Sequence, residues 1–141
     1  MISIHEKLLK ELRCHARQEY PRECCGALIG KRGVSTREVL AVVPLDNQRR
    51  GTAALRRFLV SAGDYRRLEK HAAERKLDVL GFYHSHPDHR ASPSAFDREH
   101  ALPWYAYVIV GVDNGNAGEI TCWTLSEDRS RFVPEPITVG H

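Results

Sequence analysis

Apolar residues recur at helical spacing at the start of the chain. Ile4, Leu8, Leu12 and Ala16 form one stripe, widened by Leu9 and Tyr20, and predict a helix over residues 4–20 that Pro21 stops. The pattern then shortens. "CGALIG" predicts a buried strand, and "REVLAVVPL" (Arg37 to Leu45) a second, followed by a polar turn around Asn47. "LRRFLV" (Leu55 to Val60) is a weaker third strand. A helix is expected from about Ser61, which has capping-box spacing to Asp64, with Tyr65, Leu68 and Ala72 on its apolar face. "DVLGFYHSH" is a continuous apolar run, as expected of a central strand covered on both sides. "SPSAFDREHA" starts a short helix, with Ser92 as N-cap and Pro93 in the first turn. "YAYVIVGV" and "EITCWTL" are strands joined by the hairpin-type turn "DNGNAG". Two prolines in "RFVPEPITVGH" make the tail an edge strand or a strap. The order of elements predicts an α/β fold, a single mixed β-sheet domain flanked by helices, spanning residues 1–141.

Composition narrows the function classes. A chain of 141 residues with 42% hydrophobic and 28% charged residues has the makings of one folded core, neither disordered nor membrane-embedded. The longest apolar run is strand-length, and the charged start "MISIHEKLLKEL" lacks the apolar core of a signal peptide, so a cytoplasmic protein is expected. The four cysteines, Cys14, Cys24, Cys25 and Cys122, form no C-x-x-C pair, which argues for free thiols over a cysteine-rich zinc site. A catalytic cysteine ranks below a small buried residue entering a strand. Net charge is +3. The basic stretch with Arg49, Arg50, Arg56 and Arg57 has no interleaved aromatic platform, so nucleic-acid binding is not expected.

The chemistry concentrates in "HSHPDHRASPSAFD". His84 and His86 stand two apart at the end of a strand, so both imidazoles point to one face while Ser85 points to the other. Asp97, about one turn into the following helix, can reach the same point. Two imidazoles and a carboxylate suit a zinc ion with its fourth position left to water. Asp88 and His89 in the loop and His100 on the helix are rival ligands. No spacing argument selects a general base among Glu6, Glu19, Glu23 and Glu38.

These residues resemble the JAMM motif of the JAB1/MPN/Mov34 metalloproteases: His-Ser-His-Pro, a spacer, then Ser-x-x-Asp, met by His84, Ser85, His86, Ser94 and Asp97. "RECCGALIG" is similar to the family's upstream glutamate segment, with Glu23, Cys25 and Gly26. The resemblance extends over nearly the whole chain and implies a compact prokaryotic member with the MPN/JAB fold, of cytidine deaminase-like type. It implies His84, His86 and Asp97 as zinc ligands, Glu23 as general acid/base and Ser94 as the hydroxyl that helps stabilise the oxyanion. The implied activity is a zinc-dependent metallopeptidase, deubiquitinase-like, hydrolysing a peptide or isopeptide bond. The implied partner is a ubiquitin-like sulfur-carrier protein with a Gly-Gly C-terminus, because the chain has no room for the long insertions that grip ubiquitin chains. A non-catalytic MPN-type scaffold and a zinc hydrolase of another amide are the alternatives, since fold and metal do not set the substrate. The apolar "WYAYVIV" stretch suits core or interface, and oligomeric state, including a homodimer, stays open.

Overall fold

The computed structural model describes residues 1–45 and 62–141. The weak strand over 55–60, the turn at Asn47, the Ser61 cap and the arginines at 49, 50, 56 and 57 lie outside the described residues. Among the described residues the elements are, in order, β1 (Ile2–His5), α1 (Glu6–Glu19), β2 (Cys25–Arg32), β3 (Arg37–Leu45), α2 (Ala62–Glu74), β4 (Asp78–Pro87), α3 (Ala95–His100), β5 (Ala106–Asp113), β6 (Asn116–Leu125), β7 (Phe132–Pro134) and β8 (Ile137–Gly140). The strands make one mixed sheet in the order β7-β6-β5-β4-β2-β3-β1-β8.

The first residues correct the expected helix over 4–20. Ile2 and Ile4 alternate with Ser3 and His5, are fully buried, and form a strand parallel to β3 and β8. The helix begins only at Glu6, where the His5 side chain accepts the Lys7 N–H at 3.0 Å. Its stripe holds as Leu9, Leu12 and Ala16, and it ends one residue before Tyr20, ahead of Pro21. Ile4 fits both a helical and an alternating pattern, and pairing with two strands distant in sequence decides between them.

β7 and β8 occupy opposite edges of the sheet, yet only Glu135 and Pro136 separate them. The three Cα steps from Pro134 to Ile137 span about 11 Å at most, so the sheet curls until its edges meet. The seam is bonded: Ile2 N–H donates to the Pro136 carbonyl at 3.0 Å, Glu135 N–H to the Cys122 carbonyl at 2.8 Å, and the Arg37 guanidinium to the Glu135 carboxylate at 3.1 Å. α1 packs on the inner face, where Leu9, Leu12 and Ala16 meet Leu28, Leu80 and Val108. α2 packs on the other face through Leu68 and Ala72, with Phe82 and Tyr107. β4 is covered on both faces, as its apolar run requires. A Cβ at Gly81 would run into the Ala106 carbonyl, so glycine permits the close approach of β4 and β5 there. The β5–β6 turn carries Asn114 and Gly115 at φ 50° and 84°, the left-handed conformation that Asn-Gly favours. β5 is interior and buried from Ala106 to Val110, so residues 105–110 of the "WYAYVIV" stretch are core, while Trp104 before the strand is 57% exposed. Among the described residues no helix is long and apolar enough to cross a membrane.

Candidate metal and catalytic centre

The centre forms where β4 ends. His84 and His86 project from the same face of the strand as Phe82 and are 1% and 8% exposed. Ser85 points the other way. Its hydroxyl accepts the Cys24 N–H at 2.8 Å, and its own N–H donates to the Cys24 carbonyl at 3.1 Å. These bonds extend the antiparallel register in which Cys25 faces His84, and they bring Glu23 level with His86. Glu23 is 2% exposed, and one of its carboxylate oxygens lies within 4.8 Å of ring nitrogens of both histidines, which lie within that distance of each other.

Asp97 arrives from the opposite side, at the third position of α3. The expected cap at Ser92 moves to Ser94, and Pro93 stays outside the helix. The physical reason is reciprocity: Ser94 Oγ accepts the Asp97 N–H at 3.1 Å while Asp97 Oδ2 accepts the Ser94 N–H at 2.8 Å, a pairing Ser92 has no residue to complete. The capping box therefore also orients the carboxylate. Oδ2 lies 3.1 Å from His86 Nε2 and 3.3 Å from His84 Nε2, and the two Nε2 atoms are 3.1 Å apart. Tetrahedral ligands at about 2.0–2.1 Å from a zinc ion stand about 3.3 Å from one another. The triangle thus fits the donors of one small cation. Two overlapping triads share the histidines, one completed by Asp97 and the other by Glu23.

The protonation states suit a ligand set. Burial pushes His84 down toward the neutral imidazole, against the opposing pull of Asp97. Burial favours the neutral Asp97 carboxyl, but His84, His86 and the Ser94 N–H outweigh it and hold the group well below the usual carboxylate range. A neutral imidazole at His84 and an ionised carboxylate at Asp97 are forms that bind a cation. His86 Nδ1–H donates to the Arg90 carbonyl at 2.9 Å, which leaves Nε2 facing the triangle.

The rival ligands are placed elsewhere. Asp88, at φ 57°, accepts the Tyr20 hydroxyl and the Asn114 N–H, both at 2.8 Å. His89 is exposed. His100 stacks on Phe96 with ring centroids 4.0 Å apart and donates through Nδ1 to the Phe96 carbonyl. An apolar cleft of about 170 Å³ opens beside His84 and Asp97, walled by Tyr65, Phe82, Phe96, Tyr107 and Phe132. A second, more polar hollow borders His86 and Ser94. Sequence reading missed the structural part of Ser85, whose alternation out of the site was visible but whose partner at Cys24 was not.

A family described as prokaryotic homologs of the JAB domain matches residues 5–126. A desampylase of Haloferax volcanii is 33% identical over 142 residues, covering 91% of this chain and 88% of that protein. A probable TtuB-protein conjugate cleaving protease of Thermus thermophilus is 37% identical over 112 residues, covering 78% of this chain and 70% of that protein. Among solved structures, a protein of Desulfitobacterium hafniense superposes with a TM-score of 0.86 at 29% identity, covering 100% of this chain and 94% of that one. A JAB1/MPN domain protein of Archaeoglobus fulgidus shares the fold, with a TM-score of 0.60 at 18% identity over 99% of this chain and 98% of that one. On the family match and the identity to these relatives, the chain belongs to the prokaryotic branch of the JAB-domain (JAMM/MPN) family.

Proposed function

We propose that this chain is a zinc-dependent peptidase that hydrolyses a peptide or isopeptide bond at the C-terminus of a ubiquitin-like protein of the sulfur-carrier type, ending in Gly-Gly. The observation that carries the reading is the triangle of His84 Nε2, His86 Nε2 and Asp97 Oδ2 at 3.1–3.3 Å, with the buried Glu23 carboxylate beside it. A scaffold has no use for a carboxylate buried next to two imidazoles, because such burial costs stability. The names of the two relatives, a desampylase and a probable TtuB-protein conjugate cleaving protease, support the substrate class.

His84, His86 and Asp97 would hold the ion. When bound, it supplies Lewis acidity that polarises the scissile carbonyl and acidifies a water. Glu23 takes the proton from the attacking water and returns it to the leaving amine, one group serving as base and then acid. Its burial keeps bulk water from competing for that proton. Ser94 Oγ uses a lone pair to accept the Asp97 N–H, so its O–H is left to donate to the oxygen on which negative charge develops. An extended Gly-Gly tail, free of side chains, suits passage between the aromatic walls of the cleft.

The test uses a ubiquitin-like carrier with one residue beyond Gly-Gly, and the same carrier joined to a lysine side chain, with products weighed by mass spectrometry. Cleavage after Gly-Gly by the zinc-loaded protein, absent after chelation and restored by zinc, is expected. Hydrolysis that persists without metal, or zinc-loaded protein that cleaves neither substrate, overturns the reading.

A further inference from the structure

Two residues of β6 bond the loop that follows His86. Glu119, Thr121 and Trp123 alternate along the strand and share the face that carries His84 and His86 on β4. The loop from Pro87 to Ser94 crosses that face. Ala91, 2% exposed, rests over Gly111, the β5 residue level with His86. The β5–β6 register shifts between Val110 and Val112, an irregularity of the kind that re-aims neighbouring side chains. Beside it, the Glu119 carboxylate accepts the Ala91 N–H at 3.3 Å, and the Thr121 hydroxyl donates to the Ala91 carbonyl. The Trp123 indole N–H donates to Thr121 Oγ at 2.8 Å, which aims the single hydroxyl proton at Ala91.

The Ala91 N–H and the Arg90 carbonyl are the two ends of one planar amide. The Arg90 carbonyl is the group that accepts the His86 Nδ1–H at 2.9 Å. A carboxylate on one end of that amide and an imidazole on the other form a relay: Glu119, the Arg90–Ala91 peptide, His86. A hydrogen bond at the N–H end polarises the carbonyl as an acceptor. Thr121 anchors the next carbonyl, so the peptide plane cannot rotate away.

We propose that Glu119 and Thr121 are positioning residues for His86, holding through the Arg90–Ala91 peptide the tautomer and direction that turn its Nε2 to the metal. Outer partners of a metal-bound imidazole set its orientation, and their loss typically weakens metal binding about 10- to 100-fold. The inference rests on the ligand reading above.

The test is zinc affinity, measured by competition with a chromophoric chelator, together with the visible spectrum of the cobalt-substituted protein and the melting point of the metal-free protein. Glu119→Ala and Thr121→Val should each bind zinc about tenfold more weakly and alter the cobalt spectrum. Glu119→Gln, which keeps an acceptor, and Thr121→Ser, which keeps the hydroxyl, should recover most of the affinity. Unchanged affinity in both truncated variants overturns the proposal, as does a loss that the conservative variants fail to reduce while the metal-free melting point falls equally. A wild-type protein that holds no zinc refutes the ligand reading itself, and this inference with it.

Discussion

His86 on β4 and Asp97 on α3, eleven residues apart, bring Nε2 and Oδ2 to 3.1 Å although a loop and a helix cap lie between them. Asp97→Ala should therefore abolish retention of zinc after desalting, whereas His89→Ala, at an exposed position outside the triangle, should retain about one ion per chain as the wild type does. Metal analysis of the three proteins side by side decides it. Zinc lost from the His89 variant and kept by the Asp97 variant would show that the ligand set is wrong.

Glu23→Gln keeps the shape of the side chain and removes its capacity to take a proton. Zinc content should be unchanged while turnover falls by about 100-fold or more. Activity near the wild-type level would remove Glu23 from the proton path.

Ser94 caps α3, and its proposed part in the chemistry can be separated from that cap in measurement. Ser94→Ala removes the cap of α3, at a cost of about 1 kcal/mol of stability, and also the hydroxyl proposed to meet the oxyanion. Ser94→Gly restores most of the capping tolerance but no hydroxyl. Turnover should stay low in both while stability recovers in the glycine variant. If turnover returns together with stability, the hydroxyl has no part in the chemistry.

The thiols should be unequal. Burial pushes Cys24 up to about 11 and Cys122 up to about 12, and Cys25 is buried as well, whereas Cys14 is exposed on α1. Iodoacetamide at neutral pH should modify one cysteine quickly in the native protein, Cys14, and four after denaturation. Cys25→Ser should leave hydrolysis largely intact. Rapid native alkylation of Cys24 or Cys25 with loss of activity would instead favour a thiol mechanism.

The metal-free protein should weaken in acid. Burial lowers His84 and His15 below their ordinary value of 6.5, so below that pH the unfolded chain takes up protons that the folded chain refuses, and stability falls as pH falls. Asp97, depressed below its ordinary 3.8, contributes stability that is fully present above that value and lost below it. Urea midpoints measured with chelator present should drop between pH 7.5 and 5.5. A midpoint that held or rose would mean that the two imidazoles are charged in the folded state.

Much of this protein is written locally. The unbroken apolar run of β4, the Asn114–Gly115 turn, the stripe of α1 and the alternation that pairs His84 with His86 all depend on neighbours within a few residues. The motif residues could be read for the same reason, since strand period and helix start set their directions. Choosing Glu23 among the glutamates needed the family resemblance, because nothing in the sequence around it reveals that Cys24 will bond to Ser85, 61 residues on.

Only the tertiary structure made Ile2–His5 a strand, since its partners are β3 and β8 and its own pattern is compatible with helix. It split the tail between both edges of the sheet, which a strap of two residues permits only once the sheet has curled. It set Glu119 and Thr121 against the loop between β4 and α3, 28 and 30 residues from Ala91. Hydrophobic period and turn chemistry act over a few residues and were legible. Strand pairing, burial and the bonds from β6 to Ala91 are contacts between distant segments, and those exist only after the chain has closed on itself.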